Sequence, residues 1–416
     1  MGDFFQNGII TTLHDLGTDS LEKIESRLSN IFKRPDIALL LPIIPRDLNS
    51  ESFNHIIEEI KHAPYISEVV LSLGQTQDFK DMVEARRKLS QLPQTHTVVW
   101  SSGPGVKKLF DLLAEHYLNV GPDGKGRGLW TGLGYVLSNR KLWVIAVHDC
   151  DIRNYSRRML ARLVYPVAFR GMDFEFAKAY YMRVTDKIYG RVTRLFFTPM
   201  VRALQSMLGR NHFLDYLHSF RYPLSGEISM TRTFAHVMRM PGDWGLEIGT
   251  LSDVYRRVSL ARVCQVDIAP TYEHQHQDIG EDPQMGLIKM ATDIAKVMLR
   301  TLTGQGIVFP SGFFLTLKAS YVNMANEAVN QYAGDASLNN LPYDRHSEYQ
   351  AVELFTEAIT RAGERILEEP TDLPRIPSWN RVISALPDFF DQLADVVHAE
   401  NEMADKAIAE SLTPSP

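Results

Sequence analysis

The sequence predicts an α/β protein built on a mostly parallel sheet, followed by a helical C-terminal region. Three observations support this prediction. Short apolar runs of strand length alternate with amphipathic helical patterns through the first half of the chain. The apolar run 142–147 stops abruptly at acidic residues, and from about residue 283 the pattern is helical to the end. Alternating strand and helix patterns are typical of βαβ units, whose strands lie parallel.

The composition restricts the class of protein. The chain has 416 residues, enough for two domains or for one large domain with additions, and its net charge of −6 argues against nucleic acid as the main partner. Two cysteines cannot support a disulfide framework and fit a reducing compartment. Neither a signal sequence nor a membrane-spanning apolar segment is recognisable in the sequence. We expect a cytoplasmic protein without a membrane or nucleic-acid partner.

The elements follow in order along the chain. Residues 1–33 predict a helical lead-in, because Leu21, Ile24, Leu28 and Ile31 recur at helical spacing. Helices are expected after Ser50, a favourable N-cap, and over 106–120. The predicted strands of this half are 37–41, which Pro42 closes, 69–73, 97–100 and 142–147.

The stretch 142–151 is the strongest candidate for a site. Its apolar run predicts a strand buried on both faces, and ligands of α/β sheets bind at the carboxyl ends of strands. Asp149 and Asp151 are two residues apart, so extended backbone points both side chains the same way. Two carboxylates together suit Mg²⁺ or Mn²⁺ bridging to a diphosphate. The alternative is a plain strand end in which one aspartate caps the next helix.

Two further segments contain groups that bind anions. The glycine-rich stretch 121–128 includes Lys125 and can bring backbone N–H groups and an ammonium to a phosphate, although a flexible loop is the alternative. Arg191 and Thr193 combine a guanidinium with a hydroxyl, which suits a small anion or an ordinary helix start. The basic stretch 153–170 predicts an amphipathic helix with a solvated basic face.

Carboxylates and histidines mark the next part of the chain. Glu227 and Glu247 each follow a glycine closely, as in pockets where the backbone and a carboxylate contact sugar hydroxyls; a structural turn is the alternative. A strand over 263–268 precedes His274 and His276, which are spaced for one face of an extended segment and so offer a metal ligand. Beyond residue 283 we expect helices that pack on the main body or form a homodimer seam.

Taken as an ordered set, these motifs resemble a known family. The Gly-Lys-Gly stretch, the strand ending Asp-Cys-Asp, Gly-Arg-Val-Thr, Pro-Leu-Ser-Gly-Glu and Gly-Leu-Glu-Ile-Gly are similar to those of the glucosyl-3-phosphoglycerate synthases and their mannosyl- and glucosylglycerate relatives. These are retaining nucleotide-sugar transferases of GT-A fold. The resemblance covers roughly residues 36 to 280.

The resemblance implies roles for particular residues. It assigns the nucleotide sugar to Pro42, Lys125, Asp149 and Cys150, and a divalent metal, Mg²⁺ or Mn²⁺, to Asp151 and His274. Catalytic and sugar-pocket roles fall to Gly226, Glu227 and Glu247. The acceptor, phosphoglycerate or glycerate, is assigned to Arg191, Thr193 and His276.

We expect four parts along the chain. The helical pattern indicates a lead-in over 1–33 and an extension over 283–416, and the resemblance implies a nucleotide-sugar half over 34–155 and an acceptor half over 156–282 between them. The turn after the first strand and the loop after the second depart from the family pattern, so UDP-glucose, GDP-glucose and GDP-mannose all remain possible donors. Three other hypotheses remain: the same fold with another small acceptor such as glycerol, a sugar-nucleotide sensor without catalytic activity, and a metal-dependent phosphohydrolase. The phosphohydrolase would use His148, Asp149, Asp151, His274 and His276.

Overall fold

A computed structural model describes residues 6, 8–18, 20–31, 37–242, 244–273, 283–369 and 375–412. Within these ranges eight strands form a single sheet. The strands are β1 (Thr11–Leu13), β2 (Ile37–Ile43), β3 (Glu68–Leu73), β4 (Thr95–Trp100), β5 (Val144–Val147), β6 (Phe176–Tyr181), β7 (Ile228–Thr231) and β8 (Val263–Ala269).

The sheet is mostly parallel, as the sequence predicts. Its strand order is β1-β8-β6-β7-β5-β2-β3-β4, and β7 alone among these strands runs antiparallel to its neighbours β5 and β6. Strand β7 is only four residues long and was not predicted. Its register places Ile228 opposite Val147, so the residues before β7 lie beside the residues after β5. The antiparallel strand therefore brings two separate motifs to one edge.

Helices cover both faces of the sheet and continue into the C-terminal region. They are α1 (Leu21–Ile31), α2 (Glu51–Lys61), α3 (Phe79–Leu89), α4 (Pro104–Glu115), α5 (Lys125–Ser138), α6 (Arg157–Ala168), α7 (Thr198–Leu208), α8 (His212–Ser219), α9 (Arg232–Val237), α10 (Leu246–Arg257), α11 (Pro283–Thr303), α12 (Ser311–Leu338), α13 (Arg345–Glu368), α14 (Trp379–Ala385) and α15 (Phe389–Leu412). None of the described helices is long and apolar enough to cross a bilayer.

Two apolar cores, one on each side of the sheet, hold these layers together. In β2, Leu40 belongs to one core, and Leu39 and Leu41 belong to the other, and all three are fully buried. Alternate residues of a strand point to opposite faces, so a strand covered on both sides is apolar throughout.

The C-terminal helices are part of the main body. Helix α15 covers the edge strand β4, where the Asn401 side chain accepts from Val98 N at 3.0 Å and donates to Val98 O at 2.7 Å. This pairing satisfies backbone groups that an open sheet edge would expose. Phe355 and Ile359 are among the buried residues of α13, which packs against α11 and α12.

Four local predictions were wrong. The lead-in is not wholly helical, because β1 pairs in parallel with β8. Strand β2 continues through Pro42 to Ile43, and the helix predicted over 106–120 ends at Glu115. The arginines of α6 are not a free basic face, because Arg157 and Arg158 pair with carboxylates of the N-terminal segment at 3.0 Å.

Candidate active site at the carboxyl end of the central strands

The candidate site forms where β5 ends and β7 begins. The antiparallel register places Gly226 directly against the carboxylate of Asp149: a Cβ at Gly226 would lie 2.4 Å from Asp149 Oδ2. No side chain larger than hydrogen fits there without moving the carboxylate. The glycine is therefore needed for close approach of the turn to the acidic strand end.

Lys125 completes an ion pair with this carboxylate. Its Nζ lies 2.9 Å from Asp149 Oδ1 and donates to Oδ2 at 3.2 Å, while Glu247 Oε1 lies 3.6 Å away. The Lys125 side chain remains 42% exposed, so the ammonium is accessible to a ligand. Desolvation lowers the pKa of Lys125, but the Asp149 and Glu247 carboxylates outweigh this effect and raise it, so the cation persists at neutral pH.

Lys125 is the first residue of helix α5 and does not lie in a flexible loop, the alternative considered for this stretch. Gly126 permits this arrangement, because a Cβ there would lie 2.5 Å from the carbonyl oxygen of Pro241. Gly249 of α10 packs on the same proline, at 2.1 Å from its Cγ for an added Cβ. The first turns of α5 and α10 are thus held together, which places Lys125 beside Glu247. A helix N-terminus also favours an anionic ligand.

Glu227 lies behind this surface. Its side chain is fully buried and accepts hydrogen bonds from Tyr272 Oη at 2.5 Å and Tyr181 Oη at 2.9 Å. The two tyrosine rings stack with centroids 3.7 Å apart. Burial and the nearby Asp149 raise the pKa of Glu227, although both hydroxyls oppose the rise. In this structure Glu227 fixes the turn at Gly226 instead of lying open to a ligand.

Lys178 is a component that the sequence reasoning missed. It lies in the middle of β6, is 1% exposed, and donates from Nζ to Ser225 O at 2.6 Å. Burial lowers its pKa to about 8, and the Glu247 and Glu227 carboxylates oppose that effect. The sequence did contain a signal for it, a lysine within a strand of apolar residues. Lysine is seldom buried without a partner, so such a residue is a candidate for a site. The hydrogen bond from Lys178 to Ser225 fixes the turn at Gly226 to strand β6.

The carboxylates suit a divalent cation. Burial, and next the neighbouring Asp149, raise the pKa of Asp151 to about 7, and Glu227 adds to the effect. Crowded carboxylates of this kind suit a hard cation, which would compensate their charge. His274, the other predicted metal ligand, and His276, predicted for the acceptor, lie outside the described residues.

The predicted anion site lies at the start of a π-helical segment, Val192–Phe197: Arg191 immediately precedes the segment and Thr193 is its second residue. Gly190 adopts φ of +77°, a left-handed conformation that favours glycine, and so the chain turns sharply before Arg191. Thr193 is 8% exposed, and its Oγ1 has no hydrogen-bond partner among the described residues. Arg191 is 40% exposed and bonds to the C-terminal helix α13.

Three other groups named from the sequence differ in burial. Cys150 is 5% exposed within the apolar core, and burial raises the pKa of its thiol, so the side chain is not available to a nucleotide. His148 is fully buried, which excludes the role in hydrolysis considered from the sequence. Pro42 is half-buried beside Ser72 near the carboxyl end of β2.

Comparison with curated proteins finds relatives along nearly the whole chain. The glucosyl-3-phosphoglycerate synthase of Persephonella marina is 44% identical over 401 residues, covering 96% of this chain and 99% of the relative. The enzyme of the same name from Methanococcoides burtonii is 34% identical, covering 96% and 98%. No protein-family model matches the chain.

Comparison with solved structures supports the fold. A structure of glucosyl-3-phosphoglycerate synthase from Mycobacterium tuberculosis with Mg²⁺ and UDP matches with a TM-score of 0.52 and 21% identity, covering 73% of this chain and 89% of that one. Another, with Mn²⁺, UDP-glucose and phosphoglyceric acid, matches with a TM-score of 0.51 and 20% identity, covering 73% and 89%.

Proposed function

The chain belongs to the glucosyl-3-phosphoglycerate synthase family, and we propose that it transfers glucose from UDP-glucose to 3-phosphoglycerate with retention of anomeric configuration. The observation that carries the proposal is the contact of Lys125 with Asp149 beside Gly226, at the carboxyl end of the central strands. This arrangement provides an accessible cation and carboxylates at the position where α/β sheets bind ligands.

The donor diphosphate lies at the N-terminus of α5 in this proposal. Lys125 and the first N–H groups of the helix supply positive charge to it, and Asp149 faces the ribose. Asp151, with Asp149 beside it and His274, would hold Mg²⁺ or Mn²⁺, the ions present with UDP in the mycobacterial structures. When bound, the metal compensates negative charge that develops on the leaving diphosphate.

The sugar binds beside the Gly226 turn, next to Lys125 and Glu247. Glu247 accepts hydrogen bonds from sugar hydroxyls, while buried Glu227 and Lys178 keep the turn rigid. Arg191, Thr193 and His276 hold the acceptor's phosphate or carboxylate. The acceptor hydroxyl oxygen bonds to the anomeric carbon as the bond to the diphosphate oxygen breaks, and the hydroxyl proton passes to the diphosphate. Attack on the same face as departure retains the configuration.

Assembly and location are also proposals. We propose a homodimer joined through the C-terminal helices, because Leu315 and Leu338 of α12 are 68% and 83% exposed. Sedimentation equilibrium would show twice the chain mass, and a single-chain mass would refute the dimer.

We propose a cytoplasmic location because Cys150 and Cys264 are both free thiols. Detection of the native protein in the soluble fraction after cell fractionation tests the location, and recovery with exported proteins would refute it.

A donor-by-acceptor matrix tests the function. UDP-glucose, GDP-glucose and GDP-mannose would each be combined with 3-phosphoglycerate, glycerate and glycerol, with and without Mg²⁺ or Mn²⁺, and release of nucleoside diphosphate recorded. We expect the highest rate for UDP-glucose with 3-phosphoglycerate and metal, and proton NMR of the product should show retained configuration. Binding of UDP-glucose without turnover on any acceptor would overturn the proposal in favour of a sensor.

A further inference from the structure

A carboxylate from the C-terminal region contacts Arg191, one of the residues predicted to bind the acceptor. Glu348, in the first turn of α13, lies 2.8 Å from Arg191 Nε through its Oε1. The neighbouring Ser347 Oγ accepts from a terminal nitrogen of the same guanidinium at 2.8 Å. Two consecutive residues of one helix therefore fix the edge of Arg191 formed by Nε and one terminal nitrogen. The other terminal nitrogen has no hydrogen-bond partner among the described residues.

The same carboxylate is shared with a second arginine. Glu348 Oε2 forms an ion pair with Arg194, and both side chains are about 5% exposed. Arg194 also donates to Tyr189 O at 3.3 Å and lies over the rings of Tyr332 and Tyr343. One buried carboxylate thus balances one buried guanidinium, and the surplus positive charge of the cluster is that of Arg191, the more exposed of the two.

The packing of α13 determines where this carboxylate lies. The helix begins after Asp344, whose side chain caps it by accepting from the backbone N–H groups of His346 and Ser347. It packs against α11, α12 and the π-helical turn that follows Arg191. Glu348 is 4% exposed, so its carboxylate is held by its surroundings and cannot follow a mobile arginine into solvent.

From this geometry we infer that Glu348 is a positioning residue of the acceptor site: it holds the Arg191 guanidinium so that the remaining terminal nitrogen is presented to the acceptor's anionic group. The inference rests on the proposed function. It gives the C-terminal helices a direct part in acceptor recognition. A long, flexible arginine loses less rotamer entropy on binding an anion when one side of its fork is already fixed.

The variant Glu348→Gln distinguishes positioning from simple charge balance. Loss of the ionic bond frees Arg191, so positioning predicts that the KM for 3-phosphoglycerate rises about tenfold while the KM for UDP-glucose stays within about twofold. Removing a negative charge without loss of positioning would instead attract the anionic acceptor and lower its KM. An unchanged or lowered acceptor KM therefore overturns the inference.

Two further variants keep the test decisive. Ser347→Ala removes only the second contact to Arg191, leaves the Glu348–Arg194 pair intact, and should raise the acceptor KM about threefold. If thermal unfolding shows that Glu348→Gln does not fold, the acceptor KM of Ser347→Ala decides the test. Glu357→Gln, on the same helix but 53% exposed and paired with Arg361, is the matched control and should leave both KM values unchanged.

The design separates this inference from the proposed function. If the unmodified protein forms no product from UDP-glucose and 3-phosphoglycerate, the proposed function fails. If it is active and both variants keep the normal acceptor KM, the function stands and the role of Glu348 is refuted.

Discussion

At the scale of single residues, the site depends on a missing side chain. Gly226 allows the turn before β7 to lie against Asp149, and Asp149 in turn pairs with Lys125 at 2.9 Å. The sequence pointed to all three residues, because each stands at a strand end or in a glycine-rich segment. It did not indicate that they touch, since their contact depends on the register of a strand that was not predicted.

Gly226→Ala tests that contact. The added Cβ would lie 2.4 Å from Asp149 Oδ2, so the carboxylate must move away from Lys125. We expect the KM for UDP-glucose to rise about tenfold or more, with little loss of helical signal in circular dichroism. Gly334→Ala is the control, because nothing lies within 4 Å of its added Cβ. An unchanged donor KM in Gly226→Ala would contradict the role given to the turn.

Glu400 provides a pH-dependent stability test away from the site. Its carboxylate is 7% exposed and accepts from Gly105 N at 3.1 Å, while its Oε2 has no partner among the described residues. Burial raises the pKa of Glu400 to about 7, against a backbone hydrogen bond that lowers it. The folded protein binds this proton more tightly than the unfolded chain does, and this difference stabilises the fold at low pH. The stabilisation is fully present below the pKa of Glu400 in the unfolded chain and is lost as pH rises through about 7.

The unfolding free energy of the parent protein should therefore decrease between pH 5 and pH 8. In Glu400→Gln we expect this decrease to be smaller by roughly 1–3 kcal/mol. Urea unfolding of both proteins at the two pH values measures the effect. Equal pH dependence in the variant and the parent would show that the Glu400 carboxyl is not responsible.

At the scale of elements, helix α5 shows why part of the site was not predictable. Its glycines lower intrinsic helix propensity, so the stretch around Lys125 was interpreted as a loop. In the structure these glycines permit close packing: an added Cβ at Gly132 would lie 2.6 Å from Leu40, and one at Gly134 would lie 2.1 Å from Trp379. Tertiary contacts from distant residues stabilise the helix, and a local pattern does not contain them.

The contact between α5 and the segment leading into α14 supports a stability prediction. Trp130 and Trp379 stack with centroids 3.9 Å apart, and Trp130 Nε1 donates to Pro377 O at 2.8 Å. Trp379→Ala should lower the unfolding free energy by about 3–5 kcal/mol, because a fully buried indole leaves a large cavity. Trp143→Ala, at a 40% exposed position, should cost far less in the same urea titration. Equal losses would refute the structural role of the stack.

At the scale of the whole molecule, the alternation of strands and helices predicted the parallel sheet and the cores on its two faces. The antiparallel strand β7 was not predicted, because four residues are too few to show a recognisable alternation of apolar and polar residues. The contact between Glu348 of α13 and Arg191 could not be predicted either, because the two residues are 157 positions apart in the sequence. Functional motifs were recognisable in sequence, whereas the supporting groups Lys178 and Glu348 became visible only through three-dimensional packing.

The measurement that tests the central proposal most directly is calorimetric titration of UDP into the unmodified protein and Asp151→Asn, each with and without Mn²⁺. If the strand-end carboxylates hold the cation that binds the diphosphate, removing Mn²⁺ should weaken UDP binding to the unmodified protein about tenfold or more. Asp151→Asn should bind UDP weakly under both conditions, with an unchanged circular dichroism spectrum. Equally tight, metal-dependent UDP binding by Asp151→Asn would contradict the proposed site.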